Sequence, residues 1–508
     1  MKSCARDCIR IAFVLVLLSV PFSGCSSPGS PPDVAGRFDL LVQVGGAGYD
    51  SSNDIVARPG GGFVIVGHFN QEATFGRGAD VEVRTAAGYP ENLLIPDLFC
   101  AAYDRDGELE WVRTASSSGH DVAQAVAIGP EGEVYVVGSI GEEAVFDSAD
   151  GRTETVISHG PEDGFIARYD ASGVLDWVFA YGGEAKSTLR DVCLLDNGQV
   201  ATVGYLAGEA RLDDPQGTLV AETAHGGFDA IVVILQADGS ILRFFQEGGE
   251  LDDRAMSIAS SGPDGLVVGG AFQKSSTFVG SGEEPWILEA GGDVGMFVCK
   301  YTASGEVQWA VSGGGQGLEA QASANGLAVS PEQDVYLTGF YRDDMIFFPG
   351  SGAEMELAKR SKHYLFDGYL AKLSADGTPQ WALSLGGYST DMATAVALNS
   401  RHEPIVVGFY TQEIEFGDSG QKLNSTDKDL DAFVAGFTAS GAIQWARNFV
   451  GDGADSVTDL AIPMDDSLLL AGNLSDSVRF SADGEDELVA ESRGEADGYA
   501  VRLGLGGE

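Results

Sequence analysis

The chain has 508 residues, of which 44% are hydrophobic and 21% charged, with 70 Gly against 17 Pro. This composition excludes collagen-like and low-complexity chains and suits short strands joined by many tight turns. A formal net charge of −46 repels phosphate backbones and anionic headgroups, which excludes nucleic acid as a partner and favours cations or cationic surfaces.

Residues 1–24 read as a lipoprotein signal peptide. Lys2, Arg6 and Arg10 form a basic start. The apolar run from Ile11 to Val20 is shorter than the roughly 20 residues that a bilayer span needs. Phe22-Ser23-Gly24-Cys25 resembles a bacterial lipobox, with Phe22 where Leu is usual. The resemblance implies lipidation at Cys25. Ser26, rather than Asp, follows the cysteine, which implies the outer membrane, facing the periplasm or the cell surface. Ordinary secretory cleavage near this place is the other reading. Residues 25–37 then form a flexible tether. Cys4 and Cys8 leave with the leader. Cys100, Cys193 and Cys299 lie in apolar strand patterns and read as buried free thiols.

Self-similarity dominates residues 38–508. One unit reads DGFIARYDASGVLDWVFAYGG from Asp163 to Gly183. Its frame recurs from Asp97, Asp229, Met296, Asp367 and Asp431, at a period of roughly 64 to 72 residues. Trp111, Trp177, Trp309, Trp381 and Trp445 share one position of this frame, and Arg243 stands there in another repeat. Period-two alternation predicts four strands per unit: a (123–129), b (133–140), c (164–170) and d (174–180). A glycine recurs in strand b as Gly67, Gly138, Gly204, Gly339, Gly408 and Gly472. Between c and d, a short turn ends in Gly, as a tight hairpin requires. After strand b, Phe75, Phe146, Leu212, Phe278, Phe348, Phe416 and Phe480 each open a longer loop, with room for an extra hairpin.

The two ends are complementary. FDLLVQVGG from Phe38 matches strand d, with Leu40 at the Trp position, and DGYAVRLG from Asp497 matches strand c. Pairing these halves completes the last sheet and removes its open edge, whereas an open solenoid would carry capping repeats. The expected fold is all-β: a seven-bladed β-propeller of four-stranded antiparallel blades, closed by pairing of the N- and C-terminal strands. Gly226-Gly227-Phe228-Asp229-Ala230, Asp431-Ala432-Phe433-Val434-Ala435 and Val335-Tyr336-Leu337-Thr338-Gly339 resemble the bacterial seven-bladed β-propeller repeat family (SBBP-type). The resemblance implies the fold and leaves function open.

In such blades the d–a and b–c loops share one face. Asp50, Asp121, Asp253, Glu319, Asp391 and Asp455 precede strand a and would ring the channel mouth. Asp97, Asp163, Asp229, Asp367, Asp431 and Asp497 precede strand c. Ringed carboxylates could hold Ca²⁺, although no cofactor is required. Alternatively, each Asp fixes its own turn by accepting backbone N–H groups, a need that every repeat shares. The Asp104-Arg105-Asp106-Gly107 turn resembles the start of an EF-hand loop but lacks the downstream Glu and reads as a hairpin turn. The Trp set reads as packing between blades rather than a stacking platform. G-x-L-x-W also resembles the repeat of pyrroloquinoline-quinone propellers, without their adjacent Cys pair. The His residues have no metal-pair spacing, no nucleophile elbow occurs, and no catalytic residue is assigned. The expected function is a monomeric, lipid-anchored binding or scaffolding module of the cell envelope, its partner an unknown protein or glycan met by the long b–c loops. The alternative is an envelope polysaccharide hydrolase or lyase on the same scaffold.

Overall fold

The alternating segments become strands because every second side chain can be buried while its neighbours face another sheet or solvent. The computed structural model describes residues 36–505, apart from 79, 89–94, 214–216, 218, 263–264, 283, 349–351, 353, 363–364, 426–428 and 482–486. The expected leader, Cys25 and most of the tether lie outside the described residues. Among the described residues there is no helix, and every pairing between named strands is antiparallel.

One sheet shows the plan. Its strands lie in the order Ser51–Ala57, Phe63–Phe69, Asp97–Tyr103, Leu109–Ser116, Glu143–Asp147 and Thr153–Ile157. The first four are strands a to d of one repeat. The last two come from the following repeat, whose loop after strand b folds back as a hairpin and pairs outside strand d, Val145 opposite Ser116 and Phe146 opposite Ala115. The expected four-stranded sheets are therefore extended to six strands, because the added hairpin covers an edge that strand d would otherwise leave open. In two repeats strands b and c run on into their hairpin, as Val200–Asp213 with Leu219–Leu235 and as Gly265–Phe278 with Trp286–Thr302. The first of these hairpins joins two meanders into one eight-stranded sheet through Tyr181 opposite Leu212.

The residue expected to open each loop anchors the hairpin. Phe75, Phe146, Phe416 and Phe480 are buried. They pack on Phe99, Phe165, Phe433 and Tyr499 of strand c, with ring centroids 5.0, 5.2, 5.7 and 5.1 Å apart. In one repeat Phe347, not the expected Phe348, makes this contact, with Tyr369 at 5.3 Å.

The first strand, Gly36–Gly46, lies between Asp497–Leu505 and the hairpin Glu72–Arg77/Asp80–Thr85. Leu41 is opposite Val501 and Val44 opposite Gly498. The strand begins at Gly36, two residues inside the expected tether; a register shift after Phe38 puts Phe38 in the apolar cluster on one face and Leu40, Val42 and Val44 in the cluster on the other. Apolar clusters sit between neighbouring sheets: Val64, Val66 and Trp111 pack with Val134, Val136 and Phe165. Leu40, Val42 and Ile65 likewise pack with Leu469 and Ala500. Each fully buried Val, Leu or Phe contributes about 1.5–3 kcal/mol. Successive a strands lie side by side, and Asp455–Ala461 lies beside Ser51–Ala57. Antiparallel meanders stacked in this way are the architecture of a β-propeller repeat protein.

Candidate functional site

The recurrent strand-b glycine explains the interior surface. A Cβ on Gly67 would run into Ser51 O of strand a, and one on Gly138, Gly204, Gly339, Gly408 or Gly472 would meet the equivalent carbonyl. Gly270, a frame glycine not singled out from the sequence, fills this place against Arg254 O in the remaining repeat. Just beyond, the register slips: Ser52 is opposite Gly67 but Asp54 is opposite Val66, which leaves Asn53 unpaired in a β-bulge. The same slip leaves Gln124, Arg190, Met256, Asn325, Thr394 and Thr458 unpaired. These residues and their neighbours line a single cavity of about 510 Å³, to which strand a of every repeat contributes.

Bulged side chains also tie adjacent a strands together. Asn53 Nδ2 donates to Ala123 O at 2.8 Å and Thr394 Oγ1 to Val457 O at 2.8 Å. Thr458 Oγ1 donates to Ser52 O at 2.9 Å, so the last strand a is joined to the first by the same kind of bond. Three carboxylates add a second set. Asp54 accepts from Ile55 N at 2.6 Å and from Val126 N of the next repeat at 2.7 Å. Asp191 accepts from Val192 N and from Ile258 N of the next repeat, both at 2.7 Å. Asp459 accepts from Ile55 N at 3.4 Å. Burial first, then the neighbouring Asp459 with which it shares a hydrogen bond, holds Asp54 well above the usual carboxylate range. Burial pushes Asp191 up to about 7 against the pull of its backbone donors, and the charge of Asp54 adds to the rise. Arg190 Nη1 donates to Gln124 Oε1 at 2.8 Å, and burial lowers the guanidinium's pKa.

The acids singled out in the sequence occupy other places. Asp50, Asp121, Asp253, Asp391 and Asp455 are buried, Glu319 is exposed, and none of the six lines the cavity. Asp50 accepts from Gly46 N at 2.7 Å and Asn70 N at 2.9 Å. Asp253 accepts from Gly249 N and Asp391 from Gly387 N, each at 2.7 Å, and Asp121 from Gly141 N at 3.0 Å. The strand-c set is buried too: Asp163 accepts from His159 N at 2.8 Å, and Asp367 from Arg360 N at 2.5 Å and Ser361 N at 3.0 Å. The two sets meet across repeat boundaries, where a strand-c carboxylate lies close enough to raise the next repeat's turn carboxylate. Burial comes first in each case, taking Asp50 and Asp253 to about 7 and Asp121 to about 8; Asp497, Asp229 and Asp97 then add to the rise. The Gly-Gly pair ending strand d makes the room. A Cβ on Gly45, Gly182 or Gly386 would strike Asp497, Asp163 or Asp367, and one on Gly46, Gly183 or Gly387 would strike a hairpin carbonyl. Among the described residues, no group of three or more His, Cys, Asp or Glu is placed to hold a metal ion.

Trp111, Trp177, Trp309 and Trp381 donate through Nε1 to Ala171, Ala237, Ala375 and Ala439 O in the c–d turn of the following repeat, at 3.0–3.2 Å. Gly173, with φ 81°, presents no Cβ to the Trp111 face; one would meet Trp111 Cδ2 at 2.9 Å. Trp445, in the last such repeat, is half-buried against a cluster that contains Phe38 and Val501. The Asp104 carboxylate accepts from Asp106 N and Glu108 N at 2.9 Å, the bonds of a hairpin turn. All three thiols are free; Cys100 and Cys299 are buried, whereas Cys193 is only half-buried.

No family model matches the chain. An uncharacterized WD repeat-containing protein, L264, of Acanthamoeba polyphaga mimivirus is 21% identical over 462 residues, 78% of this chain and 32% of its own length. The regulatory protein FlaEY of Caulobacter vibrioides is 22% identical over 385 residues, 72% of this chain and 37% of its own. The chain thus spans about a third of the length of these curated relatives. Among solved structures, Sqt1 from Chaetomium thermophilum is 10% identical with a TM-score of 0.37, over 93% of this chain and 100% of that one. Virginiamycin B lyase from Staphylococcus aureus is 10% identical with a TM-score of 0.26, over 75% and 94%.

Proposed function

We propose that the chain is a closed seven-bladed β-propeller of SBBP type, held by a lipid at Cys25 to the outer membrane and acting as a binding or scaffolding module for a protein or glycan. Seven a strands share one cavity, and the pairing of Gly36–Gly46 with Asp497–Leu505 supports closure. The observation that carries the binding role is a group of exposed apolar side chains in the d–a turns, separate from those of the outer hairpins and from Met464 in an a–b turn. Tyr49, Leu251, Leu318 and Tyr388 are 49%, 42%, 90% and 60% exposed, and all four lie in d–a turns. In antiparallel meanders these turns share a face with the b–c connections, where Leu365 is 36% exposed and Lys362 Nζ sits 4.6 Å from the Tyr388 ring centroid. Large apolar groups held in water on one face of a rigid scaffold suit recognition. Much of each long b–c loop is spent on the hairpin that pairs with the neighbouring sheet. The recognition surface therefore shifts from those loops toward the d–a turns.

Two variants test the reading. Cys25→Ser removes the acylation site and releases the protein from the membrane fraction; continued lipid labelling contradicts the anchor. Leu318→Asp combined with Tyr388→Asp abolishes capture of envelope components while the melting temperature stays within about 2 °C, as expected for exposed positions. Unchanged capture places recognition elsewhere.

A further inference from the structure

Residues that recur in every repeat answer a need of every repeat; a site shows itself where equivalent positions differ. The turn carboxylates recur in five of the seven repeats, with buried Ser187 and Ala320 in the same place in the other two. The axial positions do not. The bulged residue and its successor are Asn53-Asp54, Gln124-Ala125, Arg190-Asp191, Met256-Ser257, Asn325-Gly326, Thr394-Ala395 and Thr458-Asp459. Charge is thus confined to one side of the cavity, and one position carries a guanidinium. Arg190 lines that cavity with Nε lacking any acceptor in the protein, although the atom is buried. Nη1 of the same guanidinium donates to Gln124 Oε1, which leaves further guanidinium donors for an acceptor in the cavity.

The chemistry of the wall narrows the class of ligand. Asp54 and Asp191 each already accept two backbone N–H groups, and a cation would meet Arg190 beside them. An anion drawn to Arg190 would face three carboxylates. Asp54 and Asp459 line the wall as well and supply acceptor oxygens. Gln124 and Asn325 add amide donors and acceptors. A wall of mixed donors and acceptors with opposed charges suits hydroxyl groups, each of which both donates and accepts. A cavity of about 510 Å³ lies within the usual range for small-ligand sites, roughly 300–1,000 Å³. We propose that the axial cavity is a binding site for a neutral polyhydroxylated ligand of mono- or disaccharide size, with Arg190, Asp191 and Gln124 as its principal hydrogen-bonding groups. The inference rests on the closed-ring reading, since an open ring would have no axial cavity.

Isothermal titration of the full chain with glucose, N-acetylglucosamine, maltose and cellobiose, beside CaCl₂ and sodium acetate, tests the proposal. The expected result is saturable binding of at least one sugar at one site per chain, weakened tenfold or more by Arg190→Met, with folding retained by circular dichroism. Met464→Asp, at a fully exposed position in the turn between strands a and b, leaves this affinity unchanged. Absence of sugar binding at 10 mM, equal binding by Arg190→Met, or binding of calcium or acetate alone overturns it. Cross-linking of the first strand to the last in the same preparation separates the two failures: a closed ring without sugar binding removes only this inference, and an open one removes both.

Discussion

Two sets of carboxylates, a few residues apart in sequence, have different logic: one is buried and the other half-buried. Asp50, Asp121, Asp253 and Asp391 sit in turns at repeat boundaries, facing backbone donors and a strand-c carboxylate, and their pattern repeats. Asp54, Asp191 and Asp459 sit beyond the bulge on the cavity wall, where other repeats carry Ala, Ser or Gly. A repeated carboxylate belongs to the construction of the repeat, and an unrepeated one belongs to the space the repeats enclose.

Substitutions sharpen that comparison. Asp367→Ala strips Arg360 N and Ser361 N of their acceptor in a buried turn and should cost about 3 kcal/mol in chemical denaturation. Gly387→Ala places a Cβ against Glu413 O and should cost about 2 kcal/mol, through a hairpin shifted off strand d. Asp191→Ala, on a wall that water can reach, should cost only about 1 kcal/mol. If Asp191→Ala destabilises as much as Asp367→Ala, the distinction between the two sets fails.

Acid should act on both sets in one direction. Burial places Asp50, Asp97, Asp191, Asp253 and Glu247 at about 7 and Asp121 at about 8, whereas unfolded carboxyls titrate near 4. Across that window the folded chain binds more protons than the unfolded chain, so stability is greatest at the acidic end and falls as pH rises. The melting temperature at pH 5 should exceed that at pH 8 by several degrees in about 0.5 M salt, where surface repulsion is screened. A higher melting temperature at pH 8 would mean that the backbone donors outweigh burial.

Much of this was legible in the sequence. The period, the four strands, the turn acids and the Trp position follow from residues that recur, since each is fixed by local geometry or by contact with the next identical unit. The hairpins were legible as hairpins, but not their destination. Nothing local to Glu143–Asp147 specifies that it pairs with Leu109–Ser116, an edge created only when neighbouring repeats assemble. Asp54, Asp191 and Asp459 were missed because alignment to a repeat frame favours what is shared. Their signal is present as SNDIV, LRDVC and VTDLA, each a polar pair interrupting an otherwise apolar strand a.

Closure of the ring is the central claim, and the Asp39–Arg502 pair offers direct access to it. Asp39 Oδ1 lies 2.7 Å from Arg502 Nε, joining the first strand to the last across the chain's full span. Cysteines at both positions, treated with a short bis-maleimide under native conditions, should cross-link in nearly every molecule and give a compact species on denaturing gels. Absence of cross-linking in folded protein, with both thiols reactive, would contradict a closed propeller.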